Sequence, residues 1–329
     1  MDHLTPPGHP ERPQRAEVLL GVAAELGTKG CDVVDAGPAS DEAILRVHDR
    51  DYLTLLAETA GRPVALDPDT FTSPETYAVA RLAAGAAVAA VDHVLDAGRG
   101  ARAFALVRPP GHHAERGRAM GFCFLNNIAV AAAHARARGL TRVAIVDYDV
   151  HHGNGTQASF YDDPSVLFVS SHQFPYYPGT GSAAETGSGA GRGFTVNLPL
   201  EAGATGADYS RVFAAVALPI LRQFNPNLVL ISAGFDAHAD DPLGGMRLDS
   251  GDFAALTAAI ASVADACSDG RMVAVTEGGY DLRALAESTS AVSGVLAGGE
   301  APPFRGSESP RGDATVKAVV PHLREYWQL

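Results

Sequence analysis

The sequence predicts an α/β protein built on a parallel sheet, with residues 1–329 forming one domain. Three observations carry this reading. Five short runs are continuously apolar rather than alternating, helix-length segments separate most of them, and each run ends in a polar cluster. Strands buried on both faces read this way, and their connections then cross over through helices.

Taken in order, residues 104–107 form the first strand and lead into Arg108-Pro109-Pro110-Gly111-His112-His113. A helix follows over 127–138. The second strand, 143–146, runs into Asp147-Tyr148-Asp149-Val150-His151-His152, and the third, 166–169, into Ser170-Ser171-His172. A helix over 208–224 carries a kink at Pro219, whose ring and missing N–H disturb the preceding turn. The fourth strand, 228–231, precedes Ser232-Ala233-Gly234-Phe235-Asp236, and a helix covers 252–267. The fifth, 272–275, precedes Thr276-Glu277-Gly278-Gly279-Tyr280, and a helix covers Leu282–Leu296. Glycine- and proline-rich stretches at 177–193 and 240–245 read as loops, and 298–312 as a connection to a last helix ending near Trp327. Ligands of open α/β sheets bind beyond the carboxyl ends of the strands, so the five polar clusters should meet in one crevice.

Composition narrows the function classes. A 46% hydrophobic content with 19% charged residues supports a substantial core, and a formal net charge of −13 argues against binding nucleic acid through its phosphates. The Ala-rich stretch 77–95 is interrupted by Arg81 and Asp92 and no signal-peptide pattern opens the chain, so a cytoplasmic protein without a membrane partner is expected. A homo-oligomer stays open. Cys31, Cys123 and Cys267 are far apart, which suggests neither disulfides nor a cysteine metal site.

The strand period of two puts Asp147, Asp149 and His151 on one side. Carboxylate and imidazole suit Zn²⁺, and a catalytic site takes three protein ligands and leaves one position open. Asp236 is the best-placed further ligand. Asp236-x-His238-x-Asp240 offers a competing two-manganese arrangement, which needs more carboxylates at strand ends than the sequence supplies. His112 and His113, placed by a rigid turn, suit proton abstraction, with Asp147 and Asn154 available to fix a tautomer. Tyr280 can donate to an oxygen that gains charge as an amide becomes tetrahedral. Phe122, Phe124 and Tyr176 or Tyr177 could wall a narrow tube for an alkyl chain.

Together with Gly121-Phe122-Cys123-Phe124-Leu125-Asn126-Asn127, Tyr177-Pro178-Gly179-Thr180-Gly181 and His9-Pro10-Glu11-Arg12-Pro13, these motifs stand in an order that resembles the zinc-dependent histone deacetylases. Their bacterial relatives, the acetylpolyamine amidohydrolases and acetoin-utilisation proteins, share it. The resemblance implies the arginase/deacetylase fold with a parallel sheet of about eight strands. It implies zinc, or Fe²⁺ in the cell, on Asp149, His151 and Asp236. His113 would be the general base, paired with Asn154, and His112 would be held by Asp147. An asparagine at 154, where class I enzymes carry aspartate, is similar to class II. Tyr280 matches the tyrosine of active members. Gly121, Phe122, Tyr177, Gly278 and Gly279 would line the substrate channel, with Asp69 at its rim. K⁺ or Na⁺ would bind Asp147, Asp149, His151 and Ser170, and separately Phe160, Asp163, Val166 and Phe194. The implied substrate is an acyl-lysine protein or a small acylated amine. Leu243, where polyamine specialists place an acid, disfavours a polyamine. An acyl-amine binding protein with a vestigial site is the alternative of another class.

Overall fold

A computed structural model describes residues 1–303 and 309–329. Its centre is a sheet of six strands among the described residues: β1 (Arg102–Ala105), β2 (Val143–Asp147), β3 (Val166–Gln173), β4 (Thr195–Leu200), β5 (Leu228–Ala233) and β6 (Met272–Thr276). All pair in parallel, in the order β1-β6-β5-β2-β3-β4. The fold class is as expected, with six strands in place of the about eight implied by resemblance.

The five apolar runs all become strands, with β1 shifted to end at Ala105 rather than Val107. The strand that pattern reading misses is β4. It lies at the sheet edge, and Thr195, Asn197 and Pro199 alternate with the core-facing Val196, Leu198 and Leu200. Such a half-polar run with an internal proline is typical of an edge and does not read as a buried strand.

Helices cover both faces. Before the sheet come α1 (Gln14–Thr28), α2 (Asp41–Ile44), α3 (Arg50–Glu58) and α4 (Thr76–Ala97). The crossovers contain α5 (Asn127–Ala137), α6 (Asn154–Ser159), α7 (Gly206–Val212), α8 (Leu218–Phe224) and α9 (Ser250–Cys267), and α10 (Leu282–Leu296) and α11 (Pro310–Leu323) follow. Between α7 and α8 a π-helical stretch, Phe213–Ala217, lies just before Pro219, so the expected kink takes the form of a wide turn. The last helix ends at Leu323, short of Trp327, whose indole instead donates to the Gly193 carbonyl. Part of the connection expected over 298–312 lies outside the described residues, and its end is already helical from Pro310.

Period-two burial divides the core. Ala144 and Val146 of β2 face a cluster built with residues of α7 to α11, while Val143 and Ile145 face one built with α4 and α5. Each Val or Ile fully buried in this way contributes about 1.5–3 kcal/mol. Helix α4 has the length and apolarity of a membrane span. It is used here as a core helix, burying Ala80, Ala84, Ala87, Val91 and Val94 and packing on α5, β1 and β6.

The strand order positions the site. From β2 the chain steps outward through β3 to β4, then returns to the other side of β2 to lay down β5 and β6. The order therefore reverses between β2 and β5, which are paired with Asp147 opposite Ser232. A crevice opens at the carboxyl ends of two strands whose connections diverge in this way.

Candidate metal and catalytic centre

Three side chains meet at that crevice. Asp149 and His151 follow β2 and Asp236 follows β5, all buried, with one ligand atom from each within 4.8 Å of the others. His151 Nδ1 lies 3.2 Å from Asp149 Oδ1 and 3.1 Å from Asp236 Oδ2. Ligands about 2.0–2.2 Å from a tetrahedral ion stand only slightly farther apart than this. Burial and the neighbouring Asp149 charge push the Asp236 carboxyl up to about 7. Two buried carboxylates at this spacing repel, and a dication relieves them, so the donor set fits one divalent metal.

The surrounding backbone is shaped to the same point. Gly278 N–H donates to Asp149 Oδ2 at 2.8 Å, and Val150 N–H to Asp236 Oδ1 at 2.9 Å. A β-carbon on Gly278 would stand 2.1 Å from Asp236 Oδ2 and 2.6 Å from Asp149 Oδ2, so any side chain there enters the ligand sphere. Tyr148 and Val150 point the other way into the core, and His152 bonds Thr180 and Gln157, as the alternation requires.

The tandem histidines divide as anticipated. His112 Nδ1 pairs with Asp147 Oδ2 at 3.0 Å, and His113 Nδ1 with Asn154 Oδ1 at 2.8 Å. Burial, together with the charges of His112 and His151, holds His113 well below the ordinary histidine range. With Nδ1 paired to the Asn154 oxygen, Nε2 is the ring nitrogen left to accept a proton. The His113 ring centroid is 5.8 Å from that of His151. Gly121 (φ +56°) passes so close that a β-carbon would meet His113 Cδ2 at 2.4 Å.

Tyr280 is buried, and burial raises its phenol well above the ordinary tyrosine range, a shift Arg15 only partly offsets. It stays protonated and can donate. Phe122, held at φ +68°, packs edge-on against Tyr280 at 5.8 Å and against His9 at 4.7 Å. Tyr177 packs edge-on against His113 at 5.1 Å, while Tyr176 stacks on His151 at 5.6 Å. Phe122 and Tyr177 thus border the two sides of the site. Phe124 belongs to the core beside Tyr52 and Leu56.

Asp69 is half-buried. Burial and the adjacent Asp67 raise its carboxyl, and the Thr70 hydroxyl that donates to it also accepts the Phe122 N–H. Leu243 donates its N–H to Asp241 and accepts the Tyr176 hydroxyl on its carbonyl. Ser170 is bonded to His172 Nδ1 at 3.0 Å. Phe160, Asp163, Val166 and Phe194 cluster around the start of β3, where the Asp163 N–H donates to the Phe160 carbonyl, the Val166 N–H to the Asp163 carbonyl and the Phe168 N–H to the Phe194 carbonyl. His238 and Asp240 stand apart from the metal group: His238 Nδ1 accepts the Asp240 N–H, and among the described residues the only cluster of three ligating side chains is Asp149, His151 and Asp236.

Buried charges behind the site were missed by pattern reading. The Glu277 carboxylate accepts Gly111 N–H at 2.6 Å and His112 N–H at 3.0 Å, and burial pushes it up to about 7. Arg15 donates to the Glu277 and Gly279 carbonyls at 2.5 and 2.7 Å and lies 4.9 Å from the Tyr280 ring centroid. Glu11 pairs with both Arg15 and Arg108. Burial raises Glu11, but the His3 hydrogen bond and the two arginine charges outweigh it and bring it down to about 2. The available signal was a charge beside an apolar run or a rigid turn, in Arg108-Pro109-Pro110 and Glu277-Gly278-Gly279.

Comparison with known proteins decides the family. Residues 9–296 match the model of the histone deacetylase domain. The chain belongs to the histone deacetylase family. Its activity is that of the family, deacetylation. It is 45% identical over 281 residues to the histone deacetylase-like amidohydrolase of Pseudomonas aeruginosa, covering 83% of this chain and 73% of that one. It is 42% identical over 343 residues to polyamine deacetylase HDAC10 of Homo sapiens, covering 97% of this chain and half of that longer protein, 50%. The crystal structure of the HDA15 HD domain superposes with a TM-score of 0.91 at 38% identity, covering 99% of this chain and 92% of that one. The arginase/deacetylase fold expected of a family member is therefore the fold observed.

Proposed function

We propose that this deacetylase acts on acyl-lysine side chains, using Zn²⁺ held by Asp149, His151 and Asp236. One observation carries the reading: a three-ligand metal cluster, a histidine oriented by Asn154 and a buried tyrosine converge beyond the strand ends where the strand order reverses. The ion supplies Lewis acidity and lowers the pKa of a water toward about 7. Fe²⁺ suits the same donors.

The protein supplies the rest. His113, its tautomer fixed by Asn154, takes the proton of the attacking water at Nε2 and returns it to the leaving amine. His112, bonded to Asp147, lies beside it with ring centroids 4.0 Å apart. The Tyr280 hydroxyl donates to the carbonyl oxygen as it gains negative charge. Phe122 and Tyr177, with Gly121, Gly278 and Gly279, border the channel for the alkyl chain, and Asp69 meets the substrate at the rim. The oxygens of Asp147, Asp149, His151 and Ser170, and those near Phe160, Asp163, Val166 and Phe194, are read as K⁺ or Na⁺ sites.

A small acylated amine is the second reading, favoured by the likeness to a polyamine deacetylase. The apolar Leu243, in the loop that follows the ligand Asp236, favours acyl-lysine instead, since it offers no charge to a distant ammonium. Comparing kcat/KM for N-acetyl-lysine peptides and N-acetylated polyamines, on enzyme with metal counted per chain, tests this. A polyamine preference of tenfold or more, about 1.4 kcal/mol, would reverse the choice.

A further inference from the structure

We propose that Asp241 is a positioning residue for Tyr280, its carboxylate fixing the main chain of the tyrosine from the loop that also carries the metal ligand Asp236. The inference rests on the role given above to the Tyr280 hydroxyl.

Asp241 is 6% exposed. Its Oδ2 accepts Tyr280 N–H at 2.6 Å and Asp281 N–H at 3.2 Å, while Oδ1 accepts Leu243 N–H at 2.9 Å. The loop is itself braced, with Asp241 N–H donating to the His238 carbonyl at 3.0 Å and Tyr176 capping the Leu243 carbonyl. Three N–H groups on one shielded carboxylate make an anchor stronger than neutral hydrogen bonds provide.

The anchor sits where the chain most needs one. Tyr280 follows Gly279, at φ +119°, and precedes Asp281, which caps α10 through the Ala284 N–H. Two glycines confer freedom that would let the tyrosine backbone wander. Arg15 restrains the carbonyls of Glu277 and Gly279, and Gly278 is held by Asp149 on its N–H and by the Phe235 N–H on its carbonyl, so the next two N–H groups along the chain, of Tyr280 and Asp281, fall to Asp241. A hydrogen-bond donor to a developing oxyanion works only when held in place beforehand, and small misplacements there cost rate rather than binding.

The test is a double-mutant cycle with Asp241→Asn and Tyr280→Phe, alone and together, read by steady-state hydrolysis of an N-acetyl-lysine peptide, metal content and thermal midpoint. Asparagine sets an NH₂ donor against the N–H of either Leu243 or Tyr280. Asp241→Asn should keep one metal per chain and lower kcat about tenfold or more with KM changed less than about twofold. In the Tyr280→Phe background the same substitution should cost less than about twofold, because the hydroxyl it positions is gone. Equal losses in both backgrounds, unchanged kcat, or loss of metal overturns the proposal. If Asp241→Asn does not fold, Asp241→Ser takes its place in the cycle. Normal turnover of Tyr280→Phe alone would instead remove the tyrosine from the reaction, a separate failure.

Discussion

The Glu277 carboxylate receives the His112 main-chain N–H at 3.0 Å, so the strand end that leads to the tyrosine also holds the turn that carries the tandem histidines. Gly278, the next residue, donates to the metal ligand Asp149. One four-residue segment therefore ties together the base, the metal cluster and the oxyanion donor.

Glu277→Ala leaves the Gly111 and His112 amides buried without acceptors, at about 1–3 kcal/mol each. It should lower the thermal midpoint and cut turnover, whereas Glu277→Gln, which can present its carbonyl to both amides, should stay close to the parent in stability. Calorimetry on both variants decides, and equal destabilisation would show that the charge, rather than the acceptor, matters.

Tyr280→Phe removes one donor to the developing oxyanion and nothing that the core needs. Turnover should fall about 10²–10³-fold with metal content and thermal midpoint unchanged. Near-normal kcat would assign the oxyanion to the metal alone.

Asp236→Ala deletes one of three ligands. Metal analysis of the purified variant should find well under one ion per chain, with activity lost in proportion. A full complement of tightly held metal would refute the ligand set.

Glu11 sets an acid limit on stability. Its carboxyl lies at about 2 in the fold against 4.5 when unperturbed. A depressed pKa stabilises the fold above the unfolded value, and that contribution, about 3 kcal/mol, is lost as pH falls from near 4.5 toward 2. Denaturant unfolding of the parent and Glu11→Gln should therefore show a gap that is full at pH 6 and narrows below pH 4.5. A gap independent of pH would mean that the pairing with Arg15 and Arg108 does not hold the proton off.

Much of this was legible beforehand because the chemistry sits where sequence is most explicit. The β2 run and its Asp147-Tyr148-Asp149-Val150-His151 tail display their alternation directly, and the pairings of His112 with Asp147 and His113 with Asn154 follow the reading. What stayed hidden depended on tertiary position. Strand β4 reads as half-polar because it is an edge. Arg15 looks like one more helix charge until its partners 264 residues away are seen. Asp241 lies in a loop whose carboxylate acquires meaning only once the Tyr280 turn packs against it.

The long reach of Arg15 has a consequence for biosynthesis. A nascent polypeptide that has extruded both histidines, and even Asp236, still lacks the floor on which they rest, since Glu277, Gly278 and Gly279 emerge later. The hydrolytic centre is thus completed only when β6, the last of the six described strands, has followed the metal ligands out of the ribosome.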